Sequence, residues 1–367
     1  PGERVAILAA NHLAHVDLLC AAPLCGVIAV PLNTRLSAGE LGQLAATIAP
    51  ALLLVDAEQE ATGLALGMAC LRLSDYEAWL AGAGDGLLET TYRAQPDDLH
   101  LLLGTGGTTG LPKAACLPYR QTLGNADDTV AVWGLRADDV AIQATPCFHA
   151  GAQVLSLPLL RCGGTVLLMP RFEPAAYLQL AARHRPTLMF MVPTMYASLA
   201  ADPAFADSDL SAVRFAITGG APCPVSLHER YVARGIRFRC GFGMTEAGVN
   251  CFTISQDEAE RQPLAVGRPM PGIEIEIRRD DGRARCAPAR PGRHRKSPRA
   301  LQHPRALGVE HSHAVAGLQR LSPDQPAAQR HGRLQAPMRR VMFREVRCAA
   351  IADDAGTHPV VLQTMAQ

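Results

Sequence analysis

The chain has 367 residues, 48% hydrophobic and 19% charged, with a formal net charge of +1. That balance excludes a fibrous or compositionally disordered chain and supplies core for two or three domains of about 100–200 residues each. The whole-molecule charge gives no support for nucleic acid or an anionic membrane as partner. No apolar run reaches the roughly 18 residues of a membrane-spanning helix, and no signal peptide opens the chain.

The eleven cysteines contain no C-x-x-C pair, so neither metal spacing nor a small disulfide scaffold is indicated. Buried or free thiols in a reducing cytoplasm are the expectation. The first residue is Pro1, which reads as a start partway through a longer protein.

Residues 1–60 read β-α-β-α-β. "RVAILAA" is a buried strand, and "HLAHVDLLCAAPLCG" a helix with Leu13, Val16, Cys20 and Leu24 near helical spacing and a kink at Pro23. "VIAVPL" is a second strand. Ser37 and Glu40 then form a capping-box pair, Leu41, Leu44 and Ile48 give one apolar stripe, and Pro50 stops the helix before the strand "ALLLVD". Further strands are read at "HLLLG" (100–104), "GGTVLLM" (163–169), "TLMFMVP" (187–193) and "VRFAIT" (213–218), with a proline-started helix at "PAAYLQLAARH" (174–184). Strands alternating with helices predict an α/β fold, layered mostly parallel sheets with flanking helices. From Ile273, alternating Ile and Glu in "IEIEIR" predict a half-buried strand of a different, antiparallel element.

"GTGGTTGLPK" (104–113) follows the strand at 100–104. A Walker A loop fails because Leu111-Pro112 separate Gly110 from Lys113, and a dinucleotide fingerprint fails at Thr109. What remains is a phosphate loop: glycines let backbone N–H groups approach an anion, Thr105, Thr108 and Thr109 add donors, and Lys113 adds a point charge. A flexible surface turn is the alternative for the loop alone.

Other stretches decide between these. "TGGTTGLPK" resembles the signature loop of the class I adenylate-forming enzymes, which include acyl-CoA synthetases, luciferases and peptide-synthetase adenylation domains. Gly106 stands where that loop usually has serine, and Ala114 where it has glycine. "PCFHAGA" (146–152), "ITGGAPCP" (217–224), "GFGMTEAG" (241–248) and "VGRPMPGIEIEI" (266–277) resemble further segments of the family, in its order, the last being the stretch that in the family leads into a small β-barrel. The likeness covers about residues 1–282, most of the family's large N-terminal domain. "FHAGAQ" and "GFGMTEAG" are more similar to fatty- or aryl-acid CoA ligases than to peptide-synthetase domains.

The resemblance implies ATP-dependent activation of a carboxylic acid, with Mg²⁺, and transfer of the acyl group to coenzyme A. It places Thr105, Gly106, Gly107, Thr108, Thr109, Gly110 and Lys113 on the β,γ-phosphates. Thr245 would meet the α-phosphate, and Glu246 would help hold Mg²⁺. Gly219, Gly220, Ala221 and Pro222 would frame adenine, with Phe242, in the family's tyrosine position, stacking beside it within Gly241–Met244 (Gly241, Phe242, Gly243, Met244). His149 would sit by the carboxylate and Phe148 would wall the acyl pocket. Taken singly, His149 reads as a structural histidine and Thr245-Glu246 as a helix cap; Met195 and Tyr196 read as core or pocket wall.

After residue 282 the character changes. Residues 283–347 hold 15 Lys and Arg against Glu310, Asp324 and Glu345, and periodicity is lost. Three readings stand: a basic disordered tail, a divergent small domain, or an out-of-frame translation of a high-GC gene. The family's ribose-binding aspartate motif, hinge and mobile-domain lysine motif have no match; apart from Lys113 the chain's lysine is Lys296, in "GRHRKSPRAL". The expected division is therefore 1–282, an incomplete adenylate-forming domain, and 283–367, an Arg/Pro-rich segment. Alternatives to a working ligase are a nucleotide-binding pseudoenzyme and an interaction protein acting through the basic segment.

Overall fold

Among the described residues, the apolar runs read from the sequence become strands, with helices between them. The computed structural model describes residues 1–82, 92–105 and 113–273, together with the backbone of strands at 346–350 and 360–364. The predicted strand at 274–278 and nearly all of 283–347 lie outside the described residues. The described chain divides into two units: residues 1–122 with 147–149, and residues 123–146 with 150–273 and the closing strands.

The first unit contains β1 (Arg4–Leu8), α1 (Leu13–Cys25), β2 (Ile28–Pro31), α2 (Ala38–Ile48), β3 (Leu52–Val55), α3 (Glu60–Ala65), β4 (Cys70–Arg72), α4 (Tyr76–Ala81), β5 (Leu99–Thr105) and β6 (Lys113–Pro118). The strands form one sheet in the order β4-β3-β1-β2-β5-β6, parallel except where β6 returns antiparallel to β5. Ala6, Ile7 and Leu8 of β1 and Leu53 of β3 are fully buried, which explains their continuous apolar sequence.

Helix α2 follows its sequence closely. Ser37 accepts from the Glu40 N–H at 3.3 Å while Glu40 Oε2 accepts from the Ser37 N–H at 2.8 Å. Leu41, Leu44 and Ile48 are buried, and Ala49 ends the helix in the left-handed region before Pro50.

Helix α1 departs from its predicted stripe. Leu24 is 52% exposed, while His15 and Asp17 are buried beside Val16 and Leu18. The helix packs on the adjacent strands β1, β2 and β5 of one sheet, and Tyr76 of α4 reaches Asp17 as well, donating to its carboxylate at 2.9 Å. Pro23 lacks the N–H that would bond the Leu19 carbonyl; His100 Nε2 takes that carbonyl instead at 3.1 Å, and His100 Nδ1 accepts from Thr122 Oγ1 at 2.7 Å.

The chain passes between the units within α5 (Tyr119–Trp133). The second unit contains β7 (Val140–Gln143), α6 (Ser156–Cys162), β8 (Thr165–Leu168), α7 (Pro174–His184), β9 (Leu188–Met191), α8 (Pro193–Ala201), β10 (Phe215–Thr218), α9 (Val225–Val232), β11 (Phe238–Cys240), β12 (Phe252–Thr253), α10 (Gln256–Arg261), β13 (Arg268–Pro269), β14 (Val346–Ala350) and β15 (Val360–Thr364). The large sheet has the order β11-β10-β9-β7-β8-β15-β14, and its first five strands run parallel. Strand β15 adds antiparallel to β8, with Val360 opposite Leu168.

Helices α7 to α9 cover this sheet through Tyr177, Tyr196, Leu199 and Tyr231. Two of the buried tyrosine hydroxyls are satisfied: Tyr196 donates to the Ile217 carbonyl at 3.2 Å and Tyr231 to the Tyr196 carbonyl at 2.8 Å. Tyr196 is therefore core, and Met195 packs against the same cluster. Asp139, fully buried, accepts from Arg214 Nη1, Thr187 Oγ1 and the Arg136 N–H.

Candidate nucleotide and acyl site

In the first unit, the β5–β6 hairpin carries the predicted phosphate loop. Thr105 and Lys113 are direct cross-strand partners, as are Gly104 and Ala114. The sheet thus sets the single cation of the motif opposite its first threonine at the mouth of the loop. Lys113 is exposed and Thr105 half-buried. Gly106, Gly107, Thr108, Thr109 and Gly110 lie outside the described residues.

The same unit holds the Phe148–His149 pair. Phe148 is 5% exposed, and the two rings meet at 4.7 Å with a 53° tilt. Asn11 fixes the approach: its Oδ1 accepts from the Cys147 N–H at 2.7 Å. His149 reaches the surface at the edge of this packing. Loss of hydration holds its imidazole below the usual pKa, and the Arg35 guanidinium pushes the same way. At neutral pH His149 is an uncharged hydrogen-bonding group.

In the second unit, the predicted adenine turn and the G-F-G-M-T-E segment leave adjacent parallel strands. Gly219–Pro222 follow β10 and Gly241–Glu246 follow β11, at the carboxyl ends where α/β sheets place ligands. The Gly241 N–H donates to the Thr218 carbonyl at 2.7 Å, and Thr218 Oγ1 donates to the Met191 carbonyl at 3.0 Å. A Cβ on Gly219 would stand 3.1 Å from the Gly241 carbonyl oxygen, and one on Gly241 would stand 3.2 Å from Ile217 Cδ1. A methyl at either position would need its neighbour to give by a few tenths of an ångström, so the two turns run close together. Gly220, with φ +81°, turns the chain outward, and Ala221 and Pro222 are exposed.

Phe242 is held through its backbone. Its carbonyl accepts from the Cys251 and Phe252 N–H groups at 2.9 and 3.2 Å, and its ring meets Phe252 edge-on at 5.5 Å. Beyond it, Met244 and Gly248 exchange backbone hydrogen bonds at 2.9 and 3.0 Å, closing a turn over Thr245, Glu246 and Ala247. Thr245 is half-buried and Glu246 exposed on this turn. The sequence reading of a helix cap fails: no helix follows.

An amide network that sequence reasoning did not single out pins the turn's exit. Asn125 of α5 donates to the Asn250 carbonyl at 2.9 Å and accepts from the Asn250 N–H at 3.1 Å. Asn250 Nδ2 donates to Thr129 Oγ1 at 3.0 Å and to the Val154 carbonyl at 3.1 Å. Asn250 and Thr129 are buried. Neither asparagine belongs to a periodic apolar pattern or a chemical motif, so pairing across 125 positions left no trace in the sequence.

No group of three or more His, Cys, Asp or Glu side chains among the described residues could cage a metal ion. An exposed carboxylate on a hydrogen-bonded turn fits Mg²⁺ that takes its other ligands from phosphate and water. Lys113, Thr105, Phe148 and His149 belong to the first unit, whereas residues 219–222 and 241–246 belong to the second.

The sequence model of the family described as "AMP-binding enzyme" matches residues 1–293. Feruloyl-CoA synthase of Amycolatopsis sp is 37% identical over 270 residues, covering 73% of this chain and 54% of that protein. The inhibitor-bound N-terminal domain of FACL13 from Mycobacterium tuberculosis superposes with a TM-score of 0.70 at 26% identity, covering 77% of this chain and 73% of that one. ATP-bound MatB from Rhodopseudomonas palustris superposes with a TM-score of 0.67 at 28% identity, covering 77% and 57%. The chain spans about half the length of the curated relatives it matches. By motif order, family match and fold, the chain belongs to the AMP-binding enzyme family.

Proposed function

We propose that this chain binds ATP and activates a carboxylic acid, an aryl or fatty acid, as its acyl-adenylate for transfer to coenzyme A. The observation that carries the reading is the pair of glycine turns after β10 and β11. Their backbones meet at Gly219 and Gly241, and the Met244–Gly248 pairing presents Thr245 and Glu246 on the same segment. The 37% identity to a feruloyl-CoA synthase favours an aryl acid.

A free carboxylate is a poor acyl donor because its leaving group would be oxide. Attack of its oxygen on the α-phosphorus of ATP forms the acyl–phosphate bond and expels pyrophosphate; a thiol then displaces AMP. The protein's contribution is positioning and charge neutralisation. Lys113 and the loop begun by Thr105 hold the β,γ-phosphates. Thr245 donates to an α-phosphate oxygen, Glu246 would help hold Mg²⁺, which would neutralise phosphate charge, and Gly219 to Pro222 frame adenine beside Phe242. His149, kept neutral by partial desolvation and the nearby Arg35 charge, orients the acid without trapping it as an ion pair, and Phe148 walls the acyl side.

A second reading, ATP binding with little turnover, is favoured by residues 283–367, where the family's ribose-aspartate and mobile-lysine motifs find no match. ATP–pyrophosphate exchange with a panel of aromatic and fatty acids separates the two. Acid-dependent exchange that falls at least about 100-fold in Lys113→Ala and Glu246→Ala supports the first. Exchange untouched by both substitutions overturns the site assignment. ATP binding without exchange selects the second reading. No helix among the described residues is long and apolar enough to cross a membrane.

A further inference from the structure

The segment that carries Phe148 and His149 is the loop from β7 to α6, residues 144–155, and both of its ends lie in the second unit. Strand β7 is central in its sheet, with β8 parallel on one side and β9 parallel on the other. Its sequence, VAIQ, is apolar up to its last position. There Gln143 is buried, as is Thr145 two residues on. Burying an amide among apolar strands costs free energy unless its polar atoms are paired. Gln143 Nε2 donates to the Thr145 carbonyl at 2.6 Å and to Thr145 Oγ1 at 2.7 Å, and Gln143 Oε1 accepts from Ser156 Oγ at 2.6 Å. Ser156 is the first residue of α6. One side chain therefore bonds both ends of the loop.

We propose that Gln143 is a positioning residue for acid recognition: its amide clasps the two ends of the 144–155 loop and so sets Phe148 and His149. This rests on the reading of those two residues as the acid side of the site. Both amide hydrogens of Gln143 are engaged within the clasp, so the side chain acts through the loop and not on the acid itself.

The rest of the loop explains why its ends matter. Phe148, Ala152, Val154 and Leu155 are buried, so a shift at either end is passed along packed side chains. Between the ends, the Asn11 bond to the Cys147 N–H fixes one point of the backbone. Near the exit, the Val154 carbonyl is fixed by Asn250 Nδ2 at 3.1 Å. Neither bond sets the span from the strand end to the helix start. Gln143 does, because its own backbone is anchored in the sheet: its carbonyl accepts from the Met169 N–H at 3.1 Å. A buried network with its members paired rigidifies the chain around it. Removing the amide takes a bond from each end of the loop at once, while the turns after β10 and β11 keep their own bonds.

The test uses the full chain with Gln143→Leu, Ser156→Ala and Ser156→Thr. Calorimetry reads ATP affinity, ATP–pyrophosphate exchange reads the KM for the acid, and deuterium uptake of the 144–155 peptide reads the loop itself. Gln143→Leu is expected to raise the acid KM at least about tenfold and to leave ATP affinity within about threefold of the parent. Deuterium uptake in the peptide is expected to speed up at least about tenfold. Ser156→Ala removes one bond at a half-buried position. It is expected to move acid KM and uptake the same way by less, and it decides the test if Gln143→Leu does not fold. Ser156→Thr keeps the hydroxyl and is expected to match the parent. An acid KM unchanged in Gln143→Leu and Ser156→Ala overturns the proposal, and so does an ATP affinity that falls as far as the acid's, which marks a general structural loss. A parent chain with no acid-dependent exchange overturns the functional reading and the acid-recognition half with it. Deuterium uptake then decides the clasp alone, and uptake unchanged in both variants overturns it.

Discussion

The hairpin that carries Lys113 and the paired turns that carry Thr245 and Glu246 are built on opposite principles. In the hairpin, position comes from strand register: Thr105 faces Lys113, and a Cβ on Gly104 would meet no atom within 4 Å. In the turns, position comes from crowding and buried amides. A Cβ on Gly243 would stand 1.9 Å from the Val249 carbonyl oxygen, and one on Gly248 would stand 3.2 Å from the Asn125 amide nitrogen. The first arrangement tolerates change in its backbone and depends on side-chain chemistry. The second depends on glycine and on partners far away in sequence.

The largest effect expected from that contrast is at Gly243. Substitution to Ala places a methyl inside the Val249 peptide, and the overlap is with backbone, which has no rotamer to relieve it. Displacing the loop is expected to cost on the order of 3 kcal/mol or more in unfolding free energy and to abolish ATP binding. Chemical denaturation and calorimetry measure both. A Gly243→Ala chain as stable as the parent would show that the crowding is not what holds the turn.

Asn125→Ala comes next. It leaves both the N–H and the C=O of Asn250 without their side-chain partner, at a site where Asn250 is 4% exposed. Each orphaned group costs about 1–3 kcal/mol, so a loss of roughly 2–4 kcal/mol is expected. Because the network pins the exit of the turn, ATP affinity should fall with it, whereas a purely structural defect would lower stability alone.

These two substitutions also mark where sequence reading ends. The strand at 100–104 and the loop after it were legible from an apolar run followed by glycines, but the returning strand β6 and the register that sets Thr105 opposite Lys113 were not. Helix α2 was legible from Ser37 and Glu40, and the parallel strands from runs such as "TLMFMVP". The turn residues 241–246 were legible through a family likeness, but what holds them was not. Asn125 and Asn250 meet only after folding, and neither the Asn11 bond to Cys147 nor the Gly243 contact follows from local propensity. Helix α1 failed for a related reason. Its stripe assumed one buried face, while His15 and Asp17 are buried too, Asp17 against Tyr76 of α4. A period of 3.6 reports only how many faces are wet.

Buried charge gives the third contrast. The second unit pairs its buried carboxylate, Asp139, with Arg214. The first unit buries Asp17 with a neutral partner, the Tyr76 hydroxyl at 2.9 Å, and burial pushes its carboxyl up to about 7 from 3.8. Asp17 thus binds its proton more tightly folded than unfolded. Its stabilisation is present below pH 3.8 and is lost as pH rises toward 7. His15 and His100, pushed by burial down to about 3 and about 4, work the other way. Their contribution is present above 6.5 and is lost as pH falls from there toward those values. Asp17→Asn removes one slope and leaves the other two. The stability of the variant relative to the parent should rise by about 1.4 kcal/mol per pH unit from pH 4 to pH 7. Denaturant midpoints across that range check it, and a pH-independent difference would show that Asp17 is ionised throughout.

The smallest effect tests the open side of the comparison. Gly104 lies in β5 opposite Ala114, one residue before Thr105, with a backbone outside the left-handed region and free space where a methyl would go. Ala in a strand loses less conformational freedom on folding than Gly, so Gly104→Ala should change stability by less than about 0.5 kcal/mol or raise it slightly. ATP affinity should stay the same, because register holds Lys113 opposite Thr105 whichever residue precedes the pair. A large loss of affinity at unchanged stability would mean that the loop needs backbone freedom at Gly104, and that the hairpin, like the turns, is fixed by glycine as much as by strand pairing.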